Sequence, residues 1–195
     1  MTRNHILGDR EKAMEDGYFR DQDAKLLKML RERAQLDEIA IMLGEKLRVD
    51  DPALLAKIKE LGITVQTAPA FFLAPLVQVA WAEGRVLKDE REMVLVLARQ
   101  RGIAPDTPSY EQLEDWLKVR PSDELFDTAV EVLRIGFTVM PPEEREERIK
   151  DVVRACRDIA EASGALGRLL GLGNGVSPVE QAMLDRLARM LGSND

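Results

Sequence analysis

Apolar residues recur at helical spacing along this chain, and no stretch shows the strict alternation of a half-buried strand. From about Asp9 to Arg33 the residues are highly charged, with Tyr18, Phe19, Leu26, Leu27 and Leu30 as the apolar contacts. Leu36, Ile39, Ala40, Leu43 and Leu47 then form one clean helical stripe. Asp51-Pro52 reads as a helix start, Leu54, Leu55, Ile58 and Leu61 as its buried face, and Gly62 as its end. Thr64 to Pro69 reads as a linker, dividing a helical N-terminal arm (1–67) from a main domain (68–195). In that domain a helix is expected over Phe71–Ala82, starting near or kinking at Pro75. Another spans Lys88–Arg101, ended by Gly102 and Pro105. Ser109-Tyr110-Glu111-Gln112 reads as a capping box for a helix through Leu117. Pro121-Ser122 starts the next, with Leu125, Phe126, Ala129, Leu133 and Phe137 inward, and Pro141-Pro142 opens a long helix from Glu143 to about Ala162. The last runs from Ser177 to Leu191. The expected class is all-α.

Within this pattern one phrase occurs twice. Ala82-Glu83-Gly84-Arg85-Val86-Leu87-Lys88-Asp89-Glu90 precedes Val94, Leu97 and Ala98. Ala162-Ser163-Gly164, a Gly/Leu-rich insert, and Gly175-Val176-Ser177-Pro178-Val179-Glu180 precede Leu184, Leu187 and Ala188. The offset is 80 before the insert and 90 after it. Two pseudo-repeated helical hairpins in a bundle are therefore expected, each a helix, a tight glycine turn and a second helix.

Charge narrows the partners. The chain carries a net charge of −7, and residues 68–195 hold 22 acidic against 16 basic side chains. Such a domain repels phosphate backbones, which argues against nucleic acid. The lone cysteine, Cys156, rules out an intrachain disulfide and favours the cytoplasm. No apolar run is long enough to span a membrane, and the first residues lack the apolar core of a signal peptide. With one histidine (His5) and one cysteine, neither a zinc site nor a His-based nucleophile has its parts, so a non-enzymatic role is expected. Cys156 falls in an apolar stripe and reads as a small core residue.

The remaining chemistry is carboxylate. The stripe Phe72, Leu76, Val79, Ala80 extends by one helical step to Glu83, while Glu90 and Glu180 head the stripes that follow each turn. All three glutamates are expected to face inward, with Glu83 and Glu90 across one hairpin. Paired carboxylates at a core edge call for a proton, a basic side chain or a hard cation, here Ca²⁺ or Mg²⁺. The competing reading makes Glu90 and Glu180 capping acids at helix N-termini. It is stronger for Glu180, which has Ser177 at the cap, than for Glu90, where Leu87 has no acceptor.

The phrase Ala-acid-Gly-x-hydrophobic-x-x-x-Glu, closing one helix and opening another, resembles the TerB-like (tellurite-resistance) family over roughly Pro69–Gly192. The resemblance implies an all-helical fold, a place in stress-related assemblies near the membrane, and divalent-cation binding through acidic clusters. Glu83, Glu90 and Glu180 match the family's acidic positions; Ser163 departs from them.

Two segments are candidates for partner contact. The insert carries Leu166, Leu169, Leu170 and Leu172 among glycines, which either cover their own hairpin or meet a protein or a membrane surface. The arm presents Tyr18 and Phe19 among mixed charges, either as a solvated helix or as a docking element, and a homo-oligomer is open as well. The functional expectation is an interaction or scaffold module with protein partners, the alternative a cation-binding module.

Overall fold

The computed structural model describes residues 44–163 and 176–192; the described residues are helices and their connections, without a strand. Residues 44–47 close a helix, and eight further helices follow: α1 (Pro52–Glu60), α2 (Ala68–Phe71), α3 (Ala74–Ala80), α4 (Lys88–Gln100), α5 (Pro108–Lys118), α6 (Asp123–Thr138), α7 (Pro142–Ser163) and α8 (Pro178–Gly192). The protein is an all-α bundle. Its centre is α3, with every residue from Ala74 to Ala80 buried. Helices α6 and α7 both pack on α3, and α7 also lies against α4 and α8.

Local chemistry sets most of the boundaries. Asp51 caps α1 by accepting from the Ala53 and Leu54 N–H groups (2.8 and 3.3 Å), and Ser122 caps α6 by accepting from Leu125 N–H (3.2 Å). The expected Phe71–Ala82 helix is two short ones, α2 and α3, with Pro75 in the first turn of α3. The expected capping box at Ser109 is corrected. Thr107 is the cap of α5, accepting from Tyr110 N–H (3.3 Å), and Pro108 opens the helix. Ser109 lies inside the first turn and donates its hydroxyl to the Gln66 carbonyl (2.6 Å).

That bond ties α5 to the first of two loops that open with the same closure. After α1, Gly62 adopts φ +78° and Ile63 N–H returns to the Ile58 carbonyl (3.2 Å). After α4, Gly102 adopts φ +83° and Ile103 N–H returns to the Ala98 carbonyl (3.0 Å). These are Schellman closures, which need a left-handed residue and send an aliphatic side chain back to the core; Ile63 and Ile103 are both buried. Four residues on, Thr67 and Thr107 each donate to the carbonyl three residues earlier, Thr64 and Ala104. A third closure ends the helix at Leu47, where Val49 N–H returns to the Gly44 carbonyl (3.0 Å). There the left-handed residue is Arg48, at φ +56°.

The compact unit runs from Met42 to Asp195, so its edge falls before the expected 67/68 boundary. The reason is burial: Leu47, Val49, Leu54, Leu55, Ile58 and Ile63 belong to the same core as α3 and α6. Thr64–Thr67 is a hydrogen-bonded turn between the buried Ile63 and the buried Ala68 rather than a linker, with Thr64 N–H donating to the Thr67 hydroxyl oxygen (2.9 Å).

Candidate functional site

The expected acidic site resolves into two helix starts. Leu87, extended at φ −79° and ψ 160°, precedes α4, and its N–H donates to Glu90 Oε2 at 2.7 Å. Ser177 precedes α8, and its N–H donates to Glu180 Oε2 at the same 2.7 Å. Both glutamates are 2% exposed. Each supplies the acid half of a capping box, placing negative charge at the positive end of a helix dipole. Only α8 has the reciprocal half, in which Glu180 N–H donates to Ser177 Oγ (3.3 Å). Glu180 Oε1 is buried without a hydrogen-bond partner.

Glu83 is the exception among the three. The expectation placed it inward, opposite Glu90, whereas it is exposed. Helix α3 ends at Ala80, with Trp81 as its C-cap. The helical step from Val79 that would carry Glu83 inward is therefore never taken. The chain turns through Gly84, whose N–H returns to the Trp81 carbonyl (2.9 Å). Trp81 itself donates its indole N–H to the Trp116 carbonyl on α5 (2.8 Å), anchoring this end of the hairpin. Among the described residues no three His, Cys, Asp or Glu side chains gather to hold a metal ion.

Cys156 is fully enclosed on the inner face of α7. Burial pushes its thiol up to about 12, with the Arg101 charge opposing the shift and the Asp158 charge adding to it. A thiol with so little thiolate at neutral pH is a core side chain, not a nucleophile.

A feature absent from the sequence reading lies on another side of the bundle. A cavity of about 470 Å³ is lined by Lys46, Leu47, Arg48 and Phe72, by Val132, Leu133, Gly136, Phe137 and Met140, and by Glu144 and Arg148. Its floor is apolar and comes mainly from α6; its rim is charged and comes from residues 46–48 and the first turns of α7. Arg145 fixes the corner between α6 and α7. Its guanidinium donates to three carbonyls at the end of α6, Phe137 (3.1 Å), Thr138 (3.1 Å) and Met140 (3.4 Å). They lie at and just past the helix C-terminus, where a cation also suits the dipole. No motif in the sequence marks the cavity, because it draws on segments some ninety residues apart. The one local hint is Gly136, a glycine inside an otherwise strong helical pattern.

The candidate contact residues Tyr18, Phe19, Leu166, Leu169, Leu170 and Leu172 lie outside the described residues, as does His5. No described helix is long and apolar enough to cross a membrane. Comparison with protein-family models, with curated proteins and with solved structures finds no match to this chain.

Proposed function

We propose that this chain is a non-catalytic interaction module of a TerB-like, stress-related cytoplasmic system, acting by binding protein partners. The observation that carries this reading is the identical use of Glu90 and Glu180. Two of the three acidic positions in the TerB-like phrase are buried and hydrogen-bonded into helix starts, where they hold the hairpins in shape. The enclosure of Cys156 points the same way, since the one strong nucleophile of the chain is a packing residue. On this reading contact is made by the arm, through Tyr18 and Phe19, and by the insert, through Leu166, Leu169, Leu170 and Leu172.

The test compares the proteins co-purifying with the tagged full chain, with a variant lacking residues 1–41, and with a variant carrying serine at the four insert leucines. The cut falls at 41 because removing residues up to 67 would also strip Leu47, Val49, Leu54, Leu55 and Ile58 from the core. The expected result is loss of specific partners from one variant or both while the helical signal and melting temperature persist. Retention of every partner by both variants would overturn the proposal.

A second reading, a Ca²⁺ or Mg²⁺ module, has one observation in its favour, the buried and unbonded Oε1 of Glu180. A buried carboxylate oxygen without a partner is costly, and a cation would satisfy it. Calorimetric titration with each ion separates the readings: heat that disappears in Glu180→Gln supports the cation, and no heat removes it.

A further inference from the structure

We infer that the cavity between residues 46–48, α6 and the start of α7 is a binding site for an amphipathic carboxylate, an alkyl chain ending in a single anionic head. Three independent features of the cavity lead to this ligand. The first is composition. The floor is Leu47, Phe72, Val132, Leu133, Phe137 and Met140, while the rim sets Lys46, Arg48 and Arg148 against one carboxylate, Glu144. Glu144 lies 4.0 Å from Arg148, and Lys46 and Arg48 make no ion pair among the described residues. On a chain of net charge −7 this is a local reversal of sign, and it sits over an apolar recess. A volume of about 470 Å³ lies within the roughly 300–1,000 Å³ of small-ligand sites.

The second is Gly136. It occupies the interior of α6, where glycine is a poor helix former. Packing does not require it, since a Cβ there would meet nothing within 4 Å. What a side chain at 136 would occupy is the cavity itself. The third is Arg48. The two sister closures use Gly62 and Gly102 at the left-handed position, but the one on the cavity rim carries a bulky cation at φ +56°. A strained residue retained at a concave site is a mark of use. The alkyl chain lies along α6 over Gly136, and the carboxylate meets the guanidinium and ammonium groups of Arg48 and Lys46.

The residues that line the site are not those proposed for protein contact, so the two proposals are tested separately. The test is an NMR titration of the full chain, labelled at backbone amides and methionine methyls, with decanoate below its micelle concentration and with decanol as the uncharged control. Saturable shifts are expected at the Gly136 amide and the Met140 methyl, with decanoate bound roughly tenfold more tightly than decanol. The double variant Lys46→Gln/Arg48→Gln is expected to lose that preference while keeping its affinity for decanol. Gly136→Leu is expected to abolish both. Gly136→Ala, the milder filling, is expected to weaken decanoate while raising the melting temperature. Shifts absent at Gly136 and Met140, equal affinity for decanoate and decanol, or unchanged binding by Gly136→Leu would each overturn the inference.

Discussion

At the head of α4 the residue before the helix is Leu87; at the head of α8 it is Ser177. The acid three residues on makes the same 2.7 Å bond in both places, yet only Ser177 returns one. The helices that precede the two phrases differ too. Helix α3 stops at Ala80 and hands over to a turn pinned by Trp81, whereas α7 continues to Ser163. At the offset of 80, Trp81 corresponds to Glu161 and the buried Leu76 to Cys156. A pseudo-repeated phrase thus keeps its capping acid and its inward aliphatic stripe, and varies the pieces around them. The acid is common because it performs two tasks at once, satisfying an open N–H and setting charge against the helix dipole. The hydroxyl performs only one, and α4 forms without it.

The largest difference between the hairpins is expected at alkaline pH. Cys156 keeps its proton up to about 12 in the folded protein, while an unfolded thiol loses it near the ordinary value of 9.0. Between those limits the folded state holds one more proton than the unfolded state. Its contribution is fully present below pH 9 and is lost as pH rises toward 12. Urea denaturation of wild type and Cys156→Val at stepped pH should show a steeper decline for wild type across that window. Parallel profiles would place the thiol in contact with water. At neutral pH the folded protein should leave a thiol reagent unreacted and the unfolded protein should consume it.

Removing the acids ranks next. Glu90→Ala strands the Leu87 N–H with no local substitute, at a cost of about 2 kcal/mol. Glu180→Ala also strands an N–H, but it removes the unbonded Oε1 and leaves the Ser177 hydroxyl on residue 180, so about 1 kcal/mol is expected. Equal losses in chemical denaturation would mean that the reciprocal bond contributes nothing. Trp81→Phe sharpens the contrast at the other end. It leaves the Trp116 carbonyl without its indole donor, for a loss of about 1 kcal/mol that the second hairpin has no means to match.

How far these features could be read from the chain follows from how local their causes are. Asp51-Pro52, Ser122 and Ser177-Pro178-Glu180 are capping signals contained within four residues, and each stands at a real helix start. Ser109 carries the same local signal but serves a bond to Gln66, 43 residues away, while Thr107, two places earlier, takes the cap. Glu83 was placed by continuing a helix that ends three residues before it. Thr64–Pro69 has the composition of a linker, and what makes it a fixed turn includes a bond from Ser109, 43 residues away. The loops Gly62–Thr67 and Gly102–Thr107 repeat at an offset of 40, a signal present in the sequence and weaker than the hairpin phrase. The cavity has no local signal beyond Gly136, because its cations and its floor meet only in the folded bundle.

The smallest expected effect is the most direct test of the comparison. Leu87 is not among the partly buried side chains that pack on the core, so replacing it removes little apolar contact. Its backbone is already extended, as a cap requires, and Glu90 is already bonded to its N–H. Leu87→Ser should therefore complete the box that α8 already has, with the new hydroxyl accepting from Glu90 N–H, and stabilise the fold by about 0.5–1 kcal/mol. Ser177→Leu should destabilise by a similar amount, and additive changes at the two helix starts should nearly cancel in the double variant. Urea midpoints at constant m-value would read all three. A loss on Leu87→Ser would mean that the half-buried leucine has a packing role. The two hairpins would then differ because α4 trades a hydroxyl for an apolar contact, not because it forms without either.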